Sequence, residues 1–395
     1  MFNVNKKLEF ESNTQLLENG IINYYKFVFE VNKMAFTAHI SDILVKINTV
    51  LLYADESVLA LDIGNGYAIQ KLRIEELPIY EQIIDRRGQL DINYLGSKLT
   101  APDGVGSIVS LVQLHKEDTF TVNPPIMEKD IRYSDSQFDC HEQLDAYKDK
   151  EFWYLNSIIS LLQIFKKGNI GVKEIFFEFK YTVMNFINQT KNSCIDIQDA
   201  NIVRQTKYIL LPNEVIVCNS FIAKHMGNNP DGTRRVNSDG SCYISPEFRM
   251  MNPIINEFTF GLKQIDIPTG FEQFTTALEM TFLATNEQGK KEALSRRVAV
   301  LLENTDSEVT ILYNKMKNFY RYRSESLHEG DGSNITNVEL EELEDIVRKV
   351  IQKYLIFCEE EIIANLSTTW DIVKAKKIHD LKNIVIGYKT RGILP

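Results

Sequence analysis

EVTILYNKMKNFYRYRSESLHEG, residues 308–330, sets Val309, Leu312, Tyr313, Met316, Phe319 and Tyr320 three and four positions apart. That spacing lines them up on one stripe of an α-helix. Arg323 falls at the edge of the same stripe and Arg321 points roughly the other way. Gly330 and Gly332 then break the pattern, so His328 is expected in the turn that follows the helix. A helix with one apolar face must be covered by other helices, and the flanking sequence supplies them.

Upstream, FEQFTTALEMTFLAT (271–285) carries Phe271, Phe274, Leu278 and Phe282 on one stripe, and KKEALSRRVAVLLEN (290–304) carries Leu294, Val298, Leu301 and Leu302. Downstream, Thr336-x-x-Glu339 has the pattern of a capping box. It opens a long helix through Leu340, Leu343, Val347, Val350, Ile351, Tyr354 and Phe357. Residues 263–395 therefore predict an all-α bundle.

Further upstream the periodicity changes. Residues 1–134 read as β-rich, from INYYKFVFEV (22–31), MAFTAHISDILVKI (34–47), VLALDI (58–63) and GSIVSLVQL (106–114), with turn clusters between them. A sandwich or an open barrel fits that pattern. Residues 135–262 are mixed: a helix over 152–169, two short strands within YILLPNEVIVCNSFI (208–222), and a long turn-rich loop over 226–241. The expected class is α+β, with a β-rich N-terminal domain, a mixed middle region and a C-terminal helical bundle.

At 395 residues the chain suggests two or three domains. Its 44% hydrophobic and 25% charged content is that of a globular protein. No apolar run reaches the roughly 18 residues that cross a bilayer, and the opening MFNVNKKLEFESNTQ lacks the apolar core of a secretory signal. Five scattered cysteines with no C-x-x-C pair fit a reducing cytoplasm and neither a disulfide framework nor a zinc ribbon. A formal net charge of −10 argues against a general nucleic-acid coat. It leaves room for a local patch that engages a few phosphates.

An arginine and a histidine at a helix C-terminus are also what the macrodipole favours there. On spacing alone such a pair is more often a charged helix end than a site. What sets it apart is its context. Helices on both sides, with Y-R-x-R-S-x-x-x-H-x-G between them, make residues 263–365 resemble the HEPN superfamily (higher eukaryotes and prokaryotes nucleotide-binding). The signature of that superfamily is an arginine, four to six residues, and a histidine. Arg323-Ser-Glu-Ser-Leu-His328 matches with four intervening residues, and Arg321 lies six intervening residues before His328. Helix phase favours Arg323. The segments holding Glu279 and Arg297 resemble the preceding helices of the ApeA-like branch, although Glu329 stands between His328 and Gly330 where members have His-Gly.

The resemblance implies a metal-independent endoribonuclease with no cofactor, of the kind associated with bacterial anti-phage defence by abortive infection. Its substrate would be RNA, tRNA included. Its trigger would be a phage product or a regulatory partner, and its assembly a homodimer that brings two Arg-His motifs together. Arg323 and His328 would be catalytic, with Arg321 and Ser324 beside them on the substrate. Histidine can take or give a proton at neutral pH, and an arginine fork can clamp phosphate oxygens. The tail 373–392 is the one basic stretch of the chain, and Lys374, Lys376 and Lys377 are its candidate RNA-backbone contacts. A HEPN bundle that has lost activity and serves as a dimerisation or nucleotide-sensing module is the alternative.

Other motifs carry less. ALDIGNGYAI (60–69) resembles the phosphate loop of the actin and sugar-kinase fold, but Asn65-Gly66 reads better as a type I′ turn. There is no Walker-type loop, and His39, His115, His141 and His225 lack partners at zinc-ligand spacing.

Overall fold

A computed structural model of the chain describes residues 42–71, 112–121, 141–172, 174–183, 187–196, 207–226, 243–330 and 332–395. The expected strand at 22–31 and nearly all of the 226–241 loop lie outside these residues. The chain divides into two compact units. One comprises 1–47, 116–149 and 176–194, and the other 48–115, 150–175 and 195–395.

The strands are β1 (Asp42–Leu52), β2 (Ala68–Lys71), β3 (Val112–Thr121), β4 (Gly171–Val172), β5 (Glu174–Val183) and β6 (Ile187–Asp196). They form an antiparallel sheet in the order β2-β3-β1-β5-β6, with β4 paired to β1. In β1 the side chains of Ile43, Val45 and Ile47 are buried in alternation with more exposed neighbours, as a half-covered strand requires. Helix α1 (His141–Phe165) contributes Leu155, Ile158, Leu162 and Ile164 to the core of the larger unit.

Two expectations fail here. Residues 58–63 are not a strand. Asp55 accepts a hydrogen bond from the Ser57 amide and starts a 3-10 turn over Glu56–Ala60, a local bond that takes the place of a ladder. The Asn65-Gly66 turn does form: both residues have positive φ (55° and 73°), and the Tyr67 amide donates to Gly64 O at 3.0 Å. The second failure is at 208–222, where two strands were expected. The chain instead forms helix α2 (Pro212–Met226), with Pro212 at its start and Cys218, Ile222, His225 and Met226 on its buried face. The β-branched run Val215-Ile216-Val217 suggested strand, yet burial at spacings of four, three and one decides for helix.

The C-terminal bundle forms over 263–395 as expected, and one helix from the region expected to be mixed, Pro246–Lys263, joins it. Its helices are α3 (Pro246–Lys263), α4 (Ile267–Phe282), α5 (Lys290–Leu302), α6 (Asp306–Glu329), α7 (Asn337–Ala364) and α8 (Trp370–Thr390). Phe271, Phe274, Leu278, Phe282, Leu294, Val298, Val309, Met316, Leu343, Val347 and Ile351 are all fully or nearly fully buried. The main neighbours are α3 with α4 and α7, α4 with α7, α5 with α6, and α8 with α5. Thr336 and Glu339 close the capping box. Arg297, buried, holds the α4–α5 loop by donating to Phe282 O and to both oxygens of Glu287. No helix among the described residues is long and apolar enough to cross a membrane.

Candidate active site

Thr305 caps the start of α6 by accepting from the Glu308 amide, and Asp306 and Glu308 complement the macrodipole in its first turn. The other end differs from expectation. The helix runs to Glu329, so His328 sits in its last turn and not in the loop beyond. The reason is local. Ser324-Glu-Ser-Leu contains nothing that breaks a helix, and only Gly330, at φ 68°, can take the left-handed conformation that ends it. The Gly330 amide then donates to the carbonyls of Glu325 and Ser326. Two residues on, a Cβ at Gly332 would lie 2.8 Å from Pro268 Cγ, so this loop passes tightly against the first turn of α4.

Arg323 sits where its phase predicts, half-buried at the edge of the stripe. Its two terminal nitrogens reach Glu279 of α4: Nη1 to Oε1 at 3.2 Å and Nη2 to Oε2 at 3.3 Å. Tyr320 Oη donates to the same Oε1 at 2.8 Å, and its ring lies 5.8 Å from the guanidinium carbon. Burial, then the Glu279 carboxylate, push the Tyr320 phenol up to about 12. Arg323 Nε is buried and has no hydrogen-bond partner. One carboxylate, one guanidinium and one phenol thus fasten α6 to α4.

Arg321 is in a different environment. Its side chain is 56% exposed against 21% for Arg323. Its Nε lies 3.5 Å from Glu325 Oε1, and its guanidinium carbon lies 5.2 Å from the centre of the Tyr322 ring. His328 is exposed and Ser324 half-buried. On a helix of 3.6 residues per turn, positions five apart differ by about 140° and positions seven apart by about 20°. Arg323 and His328 therefore leave α6 on different sides, while Arg321 and His328 share one.

The tail lysines are mostly engaged elsewhere. Burial lowers the Lys374 pKa, opposed by the carboxylates of Asp371 and Glu287. Lys376 is hydrogen-bonded and ion-paired to Glu361, which raises its pKa. Lys377 Nζ sits 3.4 Å from the centre of the Phe357 ring. The tail's contacts with α6 lie at the helix's far end, through Arg391 to Asp306 at 3.0 Å and Thr310 Oγ1 to Ile393 O at 3.5 Å.

Sequence reading had used Glu279 only as a marker of its helix and Tyr320 only as an apolar position. Glu279 lies 41 residues before Tyr320 and 44 before Arg323, and no local pattern announces their meeting. Among the described residues no group of three His, Cys, Asp or Glu side chains is arranged to hold a metal ion. No protein-family model, curated protein or solved structure matches the chain, so the HEPN resemblance rests on the motif and the helices around it.

Proposed function

We propose that the chain is a metal-independent endoribonuclease of the HEPN type, acting as a homodimer in bacterial defence against phage by abortive infection. The observation that carries this reading is the end of α6. An exposed histidine stands there within two turns of two arginines, one exposed and one held on a carboxylate. Cleavage proceeds by attack of a ribose 2′-oxygen on the adjacent phosphorus, with rupture of the bond from phosphorus to the 5′-oxygen. A 2′,3′-cyclic phosphate and a 5′-hydroxyl result. One proton leaves the 2′-hydroxyl and one reaches the departing 5′-oxygen. A histidine can perform either transfer. The two lie on opposite sides of an in-line displacement, so a single His328 serves one, and a second chain is the natural source of the other. Arginine neutralises the charge that builds on the phosphorus oxygens.

The test is cleavage of total RNA and bulk tRNA by the purified full chain in EDTA, alongside growth on expression. Cleavage that persists with chelator, and growth arrest relieved by His328→Ala, support the nuclease. No cleavage of any RNA rejects it. One observation favours the alternative, an inactive dimerisation or nucleotide-sensing module: both terminal nitrogens of Arg323 donate to Glu279. In that reading the triad with Tyr320 serves packing alone, and the chain acts through a partner protein.

A further inference from the structure

We infer that the arginine working beside His328 is Arg321, and that Arg323 belongs to the packing that fixes α6 on α4; this rests on the ribonuclease reading. Three observations converge. The first is phase: α6 is unbroken from Asp306 to Glu329, so Arg321 and His328, two turns apart, project from one face. The six residues between them satisfy the motif's spacing as well as the four after Arg323 do.

The second is availability. Arg323 spends Nη1 and Nη2 on Glu279, and its Nε is buried. A phosphate oxygen reaching the remaining N–H groups would share the guanidinium with a carboxylate that already neutralises it and also accepts from Tyr320. Arg321 has a long contact from Nε to Glu325 and lies over the Tyr322 ring, with its side chain 56% exposed. An exposed pair of that kind contributes little, and a phosphate competes with it easily.

The third is the surface itself. Asn314, Asn318, Arg321, Glu325 and His328 recur at spacings of four, three, four and three, all exposed except the half-buried Glu325 that pairs with Arg321. The line they mark on α6 is uncovered by the bundle and rich in groups that hydrogen-bond to a sugar-phosphate chain. Arg323 lies off that line, turned towards α4.

The experiment compares the full-length wild type with Arg321→Ala, Arg323→Ala and Glu279→Gln, in EDTA. Three quantities are read: cleavage of bulk tRNA, binding of a mixed-sequence 2′-O-methyl oligoribonucleotide that cannot be cleaved, and the thermal unfolding midpoint. Arg321→Ala should lower cleavage about 100-fold or more, the scale for losing one oxyanion donor. It should weaken binding and leave the midpoint where it was. Arg323→Ala and Glu279→Gln should both lower the midpoint, since each breaks the same clamp. The inference is overturned if Arg321→Ala cleaves at the wild-type rate, or if Arg323→Ala abolishes cleavage at an unchanged midpoint. A wild type that cleaves nothing yet binds the oligonucleotide through Arg321 removes the nuclease reading and keeps Arg321 on the phosphate. A wild type that neither cleaves nor binds removes both.

Discussion

His328 lies exposed in the last turn of α6, where its loss removes almost no packing. His328→Ala should abolish RNA cleavage while changing stability by less than about 1 kcal/mol, as for an exposed position outside the core. Equal loss of fold and activity in a denaturation series would refute that separation. Tyr320 should behave in the opposite way. Tyr320→Phe removes a half-buried hydroxyl bonded to Glu279 and should cost about 1 kcal/mol of stability, the usual scale for one hydrogen bond. These two residues also mark what could be read from sequence. The half-burial of Arg323 followed from its helix phase, because phase is local. The Glu279 carboxylate that holds it was invisible, since it comes from another helix and only tertiary packing brings it within 3.3 Å.

Among the elements, the amphipathic helices of the bundle were legible because each repeats an apolar residue every three or four positions over several turns. One helix outside the bundle and one helix end were not. At α2 a β-branched run suggested strand, and the decisive signals were Pro212 at the first position and burial on one face. At α6 an end was expected before His328, when only the left-handed Gly330 could supply it. The loop after it gives a test of how firmly this end is held. A methyl at Gly332 meets Pro268 Cγ at 2.8 Å, in a ring that cannot turn aside, so either this loop or the first turn of α4 must shift. Gly332→Ala should destabilise the chain by about 1–3 kcal/mol, the range for forced overpacking. Gly330→Ala, with open space around its Cβ, should cost only the left-handed backbone penalty of about 1–2 kcal/mol. Urea unfolding of the two variants should rank Gly332→Ala at or above Gly330→Ala, and the reverse order would show that the Pro268 contact is soft.

At the scale of the whole molecule, charge governs two behaviours. The first is acid stability. Burial favours the neutral forms of Glu247 and Glu287, but hydrogen bonds from His225 and Ser245 to the one, and from Arg297 to the other, outweigh it and hold both carboxyls below their ordinary range. A depressed folded pKa contributes stability that is complete above the unfolded value, near ~4.3 for glutamate, and is lost as pH falls through the folded one. Stability should therefore hold from neutrality to about pH 5 and decline below it. Glu287→Gln should lower stability at pH 7 and flatten the decline. An unchanged slope would exclude Glu287 as a contributor. The second behaviour is assembly. Two chains of formal net charge −10 repel each other at long range, and salt screens that repulsion within about 10 Å at 0.1 M. If association depends on short-range packing of like-charged molecules, raising salt should strengthen it. Sedimentation should then show a species of about twice the 45.6 kDa chain mass, increasingly populated from low to moderate salt. RNA cleavage would respond in two opposed ways, since salt weakens phosphate binding as it favours the dimer. Cleavage per chain should therefore rise with protein concentration at fixed salt, because only the dimer carries two His328 side chains. A strictly monomeric chain whose specific activity is the same at every concentration would show that one His328 suffices, and the dimeric site would have to be abandoned.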